Sequence, residues 1–141
     1  IHANPALVGL LSMKSLRLED FEVHEYLKPV KIDGILYCHL FVNPQSLMKN
    51  PLTGTIDNRL NKLKQSFTQG HQQIRMWGTQ YTLEGRELCG LIAGSFYQHS
   101  EDYLGHQGNH HWHGIVVCNE VRNGTYDPCF VSLGYLLEHY L

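Results

Sequence analysis

Ten of the 141 residues are histidine, and neutral imidazole is the commonest nitrogen donor for first-row divalent ions. Two of these histidines stand where the backbone would aim a ring outward. His71 follows a glycine in Phe67-Thr68-Gln69-Gly70-His71-Gln72-Gln73. A Gly-His step after a short strand holds the ring on a tight turn, a placement suited to a metal ligand. His39 comes late in the apolar run Ile35-Leu36-Tyr37-Cys38-His39-Leu40-Phe41. If the two strands are neighbours, both imidazoles project over one sheet edge, where ligand sites collect in layered folds. The bland alternative is a turn histidine capping its own strand, with the other unrelated to it.

The densest cluster is His110, His111 and His113. On a strand, His111 and His113 would share a face, and two such imidazoles can chelate an ion. No Cys or carboxylate is close in sequence, so the competing reading is a polar loop entering a strand with Trp112 packed inward. His99 and His106 flank Glu101-Asp102. Carboxylate with histidine can do general acid and base work, although a solvated loop explains the same residues. His2, His24 and His139 read as surface or packing residues, and Arg75 and Arg86 as surface charges. Trp77, Tyr81, Phe96 and Tyr97 fall at strand spacing and read as core.

These side chains need elements to hold them. Asn4 as N-cap and Pro5 at the first helical position predict a helix over residues 4–11, apolar nearly all round and therefore buried or packed against something outside the chain. Residues 15–21 read as a polar turn or a second short helix. Residues 21–27 alternate with period two, and Asp33-Gly34 between residues 29–32 and 35–41 is a hairpin signal. The return strand is so apolar that it must be covered on both faces. Residues 43–56, with two prolines, form a long loop, after which Asp57-Asn58 would cap a helix over residues 59–65. From residue 74 onward the pattern is strands: 74–81, a turn at Glu84-Gly85, 88–97, a polar loop over 98–109, 112–119, a hairpin turn at Asn123-Gly124, and 127–133. Residues 134–141 close as a short helix or turn. The fold class is α+β with a sheet-rich second half.

Composition, at 43% hydrophobic and 17% charged, predicts one domain with a real core over residues 1–141. A net charge of −2 with interspersed signs argues against nucleic-acid binding. Cys38, Cys89, Cys118 and Cys129 form no C-x-x-C pair and sit in apolar surroundings, so we expect buried free thiols in a reducing, cytoplasmic compartment. No run approaches a membrane span, and the apolar stretch near the start is too short for a signal peptide. Ile1 is not a methionine, which raises the expectation of a fragment.

The segments Ile32-Asp33-Gly34-Ile35-Leu36-Tyr37-Cys38-His39 and Ser66-Phe67-Thr68-Gln69-Gly70-His71-Gln72-Gln73 resemble the last two metal motifs of calcineurin-like metallophosphoesterases. The stretch from Gln107 to Val117 is similar to one in phage-encoded members. The resemblance implies a two-layered β-sandwich flanked by helices, with two divalent metals (Mn, Fe, Zn or Mg) activating a water that attacks a phosphomonoester or phosphodiester. It implies that His39 and His71 are metal ligands. Gln73 stands where many members carry a further ligand histidine, so its amide oxygen would bind the metal or a bound water. His113 stands where phage-type relatives tend to carry Arg, so it and His111 are implied as substrate contacts.

The family's first three motifs, Asp-x-His, Gly-Asp-x-x-Asp and Gly-Asn-His-Asp/Glu, do not occur between Ile1 and Leu141. The chain thus resembles the C-terminal half of such a hydrolase, with the catalytic acid histidine in the absent half. Two imidazoles alone fall short of the three or more ligands of a catalytic site, so an isolated chain is expected to be a poor phosphatase until joined to that half or to a second chain. The rival expectations are a non-catalytic binding or virion-associated module on the same fold, and a structural zinc site at His111 and His113.

Overall fold

The computed structural model describes residues 18–99, 105 and 111–141. The helix expected over residues 4–11, residues 15–17 of the segment 15–21, most of the loop 98–109, and His2, Glu101, Asp102, His106 and His110 lie outside them. In chain order the elements are β1 (Val30–Ile32), β2 (Ile35–Cys38), α1 (Ile56–Leu63), β3 (Phe67–Gln69), β4 (Arg75–Tyr81), β5 (Glu87–Ala93), β6 (Gly114–Arg122), β7 (Thr125–Ser132) and α2 (Leu133–Tyr140). They build a mixed α+β structure with a five-stranded sheet in the order β1-β2-β3-β5-β4 and a two-stranded sheet of β6 and β7.

The larger sheet is mixed because α1 carries the chain back to the start of the sheet. β2 and β3 pair in parallel, with Cys38 opposite Gln69, and β3 and β5 pair in parallel, with Gln69 opposite Ile92. β1 and β4 are antiparallel to their neighbours. Strand polarity therefore brings the ends of β2, β3 and β5 and the beginning of β4 to one edge.

Period-two alternation sends side chains into two apolar layers. Phe67, Leu88 and Ile92 face α1, where they meet Ile56, Leu60, Phe41 and Leu52. Ile35, Cys89 and Leu91 face the β6–β7 hairpin, where they meet Tyr126. Burial on both faces makes Leu88–Ile92 a continuous buried run, and each large apolar side chain so covered contributes about 2 kcal/mol. α1 lies very close to the sheet: a Cβ on Gly90 would stand 2.7 Å from Phe67 and 2.8 Å from Ile56, so glycine sets the approach.

Four expectations are corrected. Residues 21–27 are not a strand; Phe21, Val23 and Tyr26 are exposed and Leu27 is left-handed at φ 61°, because alternation without a partner strand leaves the backbone nothing to pair with. α1 is capped by Thr55, whose side chain accepts from Asn58 N, and not by Asp57-Asn58. Starting there puts Ile56 as well as Leu60 on the buried face. Tyr81 and Phe96 are exposed at 67% and 61%, and so is Cys129, although all four cysteines are free.

Candidate functional site

At the edge where β2 and β3 end, His39 Nε2 lies 3.1 Å from His71 Nδ1. The parallel register of β2 and β3 places the two chain exits side by side, and Gly70 N donates to Cys38 O at 3.3 Å. Both histidines are exposed. Tyr26 leans over His39 with ring centroids 5.9 Å apart, and a cavity of about 520 Å³ opens beside it, lined by Tyr26, Leu27, Tyr37, His39, Gln69 and Gly70 among others.

His71 sits in an unusual backbone. Its φ is 61° and Gln72 N donates to Gly70 O across it at 2.7 Å, a left-handed γ-turn. Such turns are rare and strained, and a non-glycine residue there costs on the order of 1–3 kcal/mol unless its surroundings hold it.

The holding comes from α1. Arg59 is 1% exposed, and its guanidinium donates from Nε to Gly54 O at 2.9 Å, from Nη1 to Gln69 Oε1 at 3.2 Å and from Nη2 to Gln72 Oε1 at 2.7 Å. Burial lowers its pKa, and among the described residues no carboxylate pairs with it. Gln69 Nε2 is buried without a partner among them. Neither Arg59 nor the two glutamines stood out in the sequence, because a helical arginine reads as a surface charge until the fold buries it.

A second polar group lies along the same edge. Trp112 N donates to Gln73 O at 3.2 Å, and Ser95 N to Trp112 O at 3.0 Å, which ties residues 111–113 to the sheet. The Tyr97 hydroxyl donates to Gln73 Oε1 at 3.0 Å and lies 2.6 Å from His111 Nδ1. With the phenolic hydrogen directed at Gln73, Nδ1 of His111 is the donor in the second bond, and its Nε2 carries the lone pair. His113 packs against Tyr97 with ring centroids 4.5 Å apart and the rings inclined by 49°, and its Nε2 is buried without a partner among the described residues. Tyr97 was read as core, and its hydroxyl makes it instead the link between Gln73 and His111.

Of the residues singled out in the sequence, the fold thus joins His39 with His71, and Gln73 with His111 and His113. Among the described residues no group of three or more His, Cys, Asp or Glu could hold a metal ion. The donor set therefore fits a divalent ion in part: two imidazole nitrogens converge at a separation compatible with sharing an ion at about 2.0–2.1 Å each, and further ligands must come from elsewhere. Arg75, at the start of β4, lies over Trp112 and Phe130 at 5.1 and 4.9 Å. No helix among the described residues is long and apolar enough to cross a membrane. Compared with family models, curated proteins and solved structures, the chain matches none.

Proposed function

We propose that His39 and His71 are two ligands of a divalent-metal centre that hydrolyses phosphoesters, in a chain similar to the C-terminal half of a calcineurin-like metallophosphoesterase. The observation that carries this reading is the 3.1 Å approach of two imidazole nitrogens at the edge where parallel strands end. Both belong to the segments that carry the resemblance. The remaining ligands and the acid for the leaving group would come from the part of the enzyme that carries the other motifs.

Bound ions supply there a water acidified toward hydroxide and positive charge beside the phosphoryl oxygens. The chain's own residues do the positioning. His39 and His71 present inward lone pairs, so the hydrogen that joins Nε2 to Nδ1 in the free pair must move to an outer nitrogen. Gln73 is placed to orient His111 through Tyr97, and His111 and His113 stand as the substrate contacts. The Nε2 of His113, without a partner among the described residues, supports that role, since a buried polar atom is stabilised when a ligand group pairs with it.

The second reading, a non-catalytic binding or virion-associated module, is favoured by the lack of a third ligand among the described residues. The two separate on the full product of the reading frame, assayed with Mn²⁺ against p-nitrophenyl phosphate and bis-p-nitrophenyl phosphate. The enzyme reading expects hydrolysis that His39→Ala and His71→Ala each reduce to background. A metal-free, inactive full product leaves only the module.

A further inference from the structure

We infer that Arg59 is the positioning residue for His71, holding both flanks of its turn from the buried side. The inference rests on the reading of His39 and His71 as a metal-binding pair and adds the part of the chain that keeps the pair assembled. Three observations converge. The His71 backbone is left-handed, with Gln72 N bonded to Gly70 O, a conformation that lasts only when its surroundings over-determine it. The residues on either side of Gly70-His71 are Gln69 and Gln72, and one guanidinium holds both of their amide oxygens. That guanidinium is anchored in turn to Gly54 O, at the entry to α1.

The chemistry of the choice separates positioning from ordinary packing. A buried cation that meets only neutral oxygens is a poor way to fill a core, and an apolar side chain of similar volume would be tolerated at least as well. What only arginine provides is a planar fork whose two ends fix two acceptors at a set spacing. A lysine brings the charge without the fork.

Cobalt(II) titration of the chain, read by visible absorbance, tests this against a structural role. Arg59→Met is expected to weaken cobalt binding by about 10- to 100-fold, the usual effect of losing a group that orients a ligand. Arg59→Lys does not restore it. Gln72→Ala weakens binding by part of that amount, and adding it to Arg59→Met brings no further loss, as expected for partners in one contact. Leu60→Ala, on the same helix and also buried, lowers the melting temperature with little change in affinity.

Unchanged affinity in Arg59→Met, or an equal loss in Leu60→Ala, overturns the inference. If Arg59→Met does not fold, Gln72→Ala decides alone, and wild-type affinity in it counts against the clamp. Should the wild-type chain bind no cobalt, two ligands are too few to hold the ion, and the metal reading is decided by the assay of the full product. The clamp is then judged by the nuclear Overhauser contact between the His39 and His71 rings in the metal-free chain, which Arg59→Met is expected to erase; its persistence overturns the inference.

Discussion

The two ends of the five-stranded sheet are finished differently, although the same strands run between them. Where β2 begins, the Asp33-Gly34 turn meets the Asn123-Gly124 turn of the hairpin, and Gly124 N donates to Asp33 O at 3.1 Å. A Cβ on Gly34 would stand 2.9 Å from Gly124 Cα, so the two layers touch backbone to backbone. Gln65 Nε2 bonds to Gly34 O and Cys89 Sγ to Gly124 O. Where β2 ends, backbone bonds from Trp112 N to Gln73 O and from Ser95 N to Trp112 O also tie the layers, but beside them polar side chains meet, His39 with His71 and Gln73 with Tyr97 and His111. Both edges join the layers, and only the second adds a cavity and exposed polar side chains. A single sheet can thus concentrate stability at one end and adaptable chemistry at the other.

The largest expected effect that would blur this contrast is alkaline. Burial between the layers raises the Cys89 thiol from its ordinary 9.0 to about 11. Burial likewise raises Cys118, Tyr37 and Tyr126. Because the folded state holds these protons more tightly than the unfolded chain, their stabilisation is full below the unfolded values and disappears as pH rises through the folded ones. At about 1.4 kcal/mol per pH unit, Cys89 alone accounts for about 3 kcal/mol between pH 9 and 11. Urea unfolding across that window is expected to show a steep loss that is shallower in Cys89→Ala; parallel slopes in the two proteins would sink the assignment.

A smaller effect follows from the closed edge itself. Gly34→Ala puts a Cβ against Gly124 at a φ of 85° and is expected to destabilise by about 2 kcal/mol. The ring contact between His39 and His71 should survive in the folded fraction. Thermal unfolding and proton spectra check the two halves of this expectation, and loss of the ring contact would mean that the edges are not independent. The smallest effect is at the cap. Thr55→Ala removes the acceptor for Asn58 N and should lower stability by about 1 kcal/mol, measurable as a shift in urea midpoint with unchanged slope.

Much of this was legible in local pattern. The Asp33-Gly34 and Asn123-Gly124 hairpins, a helix around Leu60 and the strands from Arg75 onward follow from turn chemistry and periodicity, because those signals act between near neighbours. The strand expected at 21–27 was not legible, since alternation says nothing about whether a partner lies alongside. Arg59 passed without notice and Tyr97 was read as core for a related reason: a charge on a helix and an aromatic on a strand each have a common role, and only burial and the position of the polar tip reveal another.

By itself the sequence determined the residue types at the site, the turns that end the strands and the α+β class, because local sterics and capping act within a few residues. The tertiary structure decided that His39 and His71 meet, that Gln73 joins His111 instead of the pair, and that Arg59 lies beneath the His71 turn. Those contacts join residues far apart in the chain, and they form only once β3 has paired between β2 and β5 and α1 has closed over the sheet.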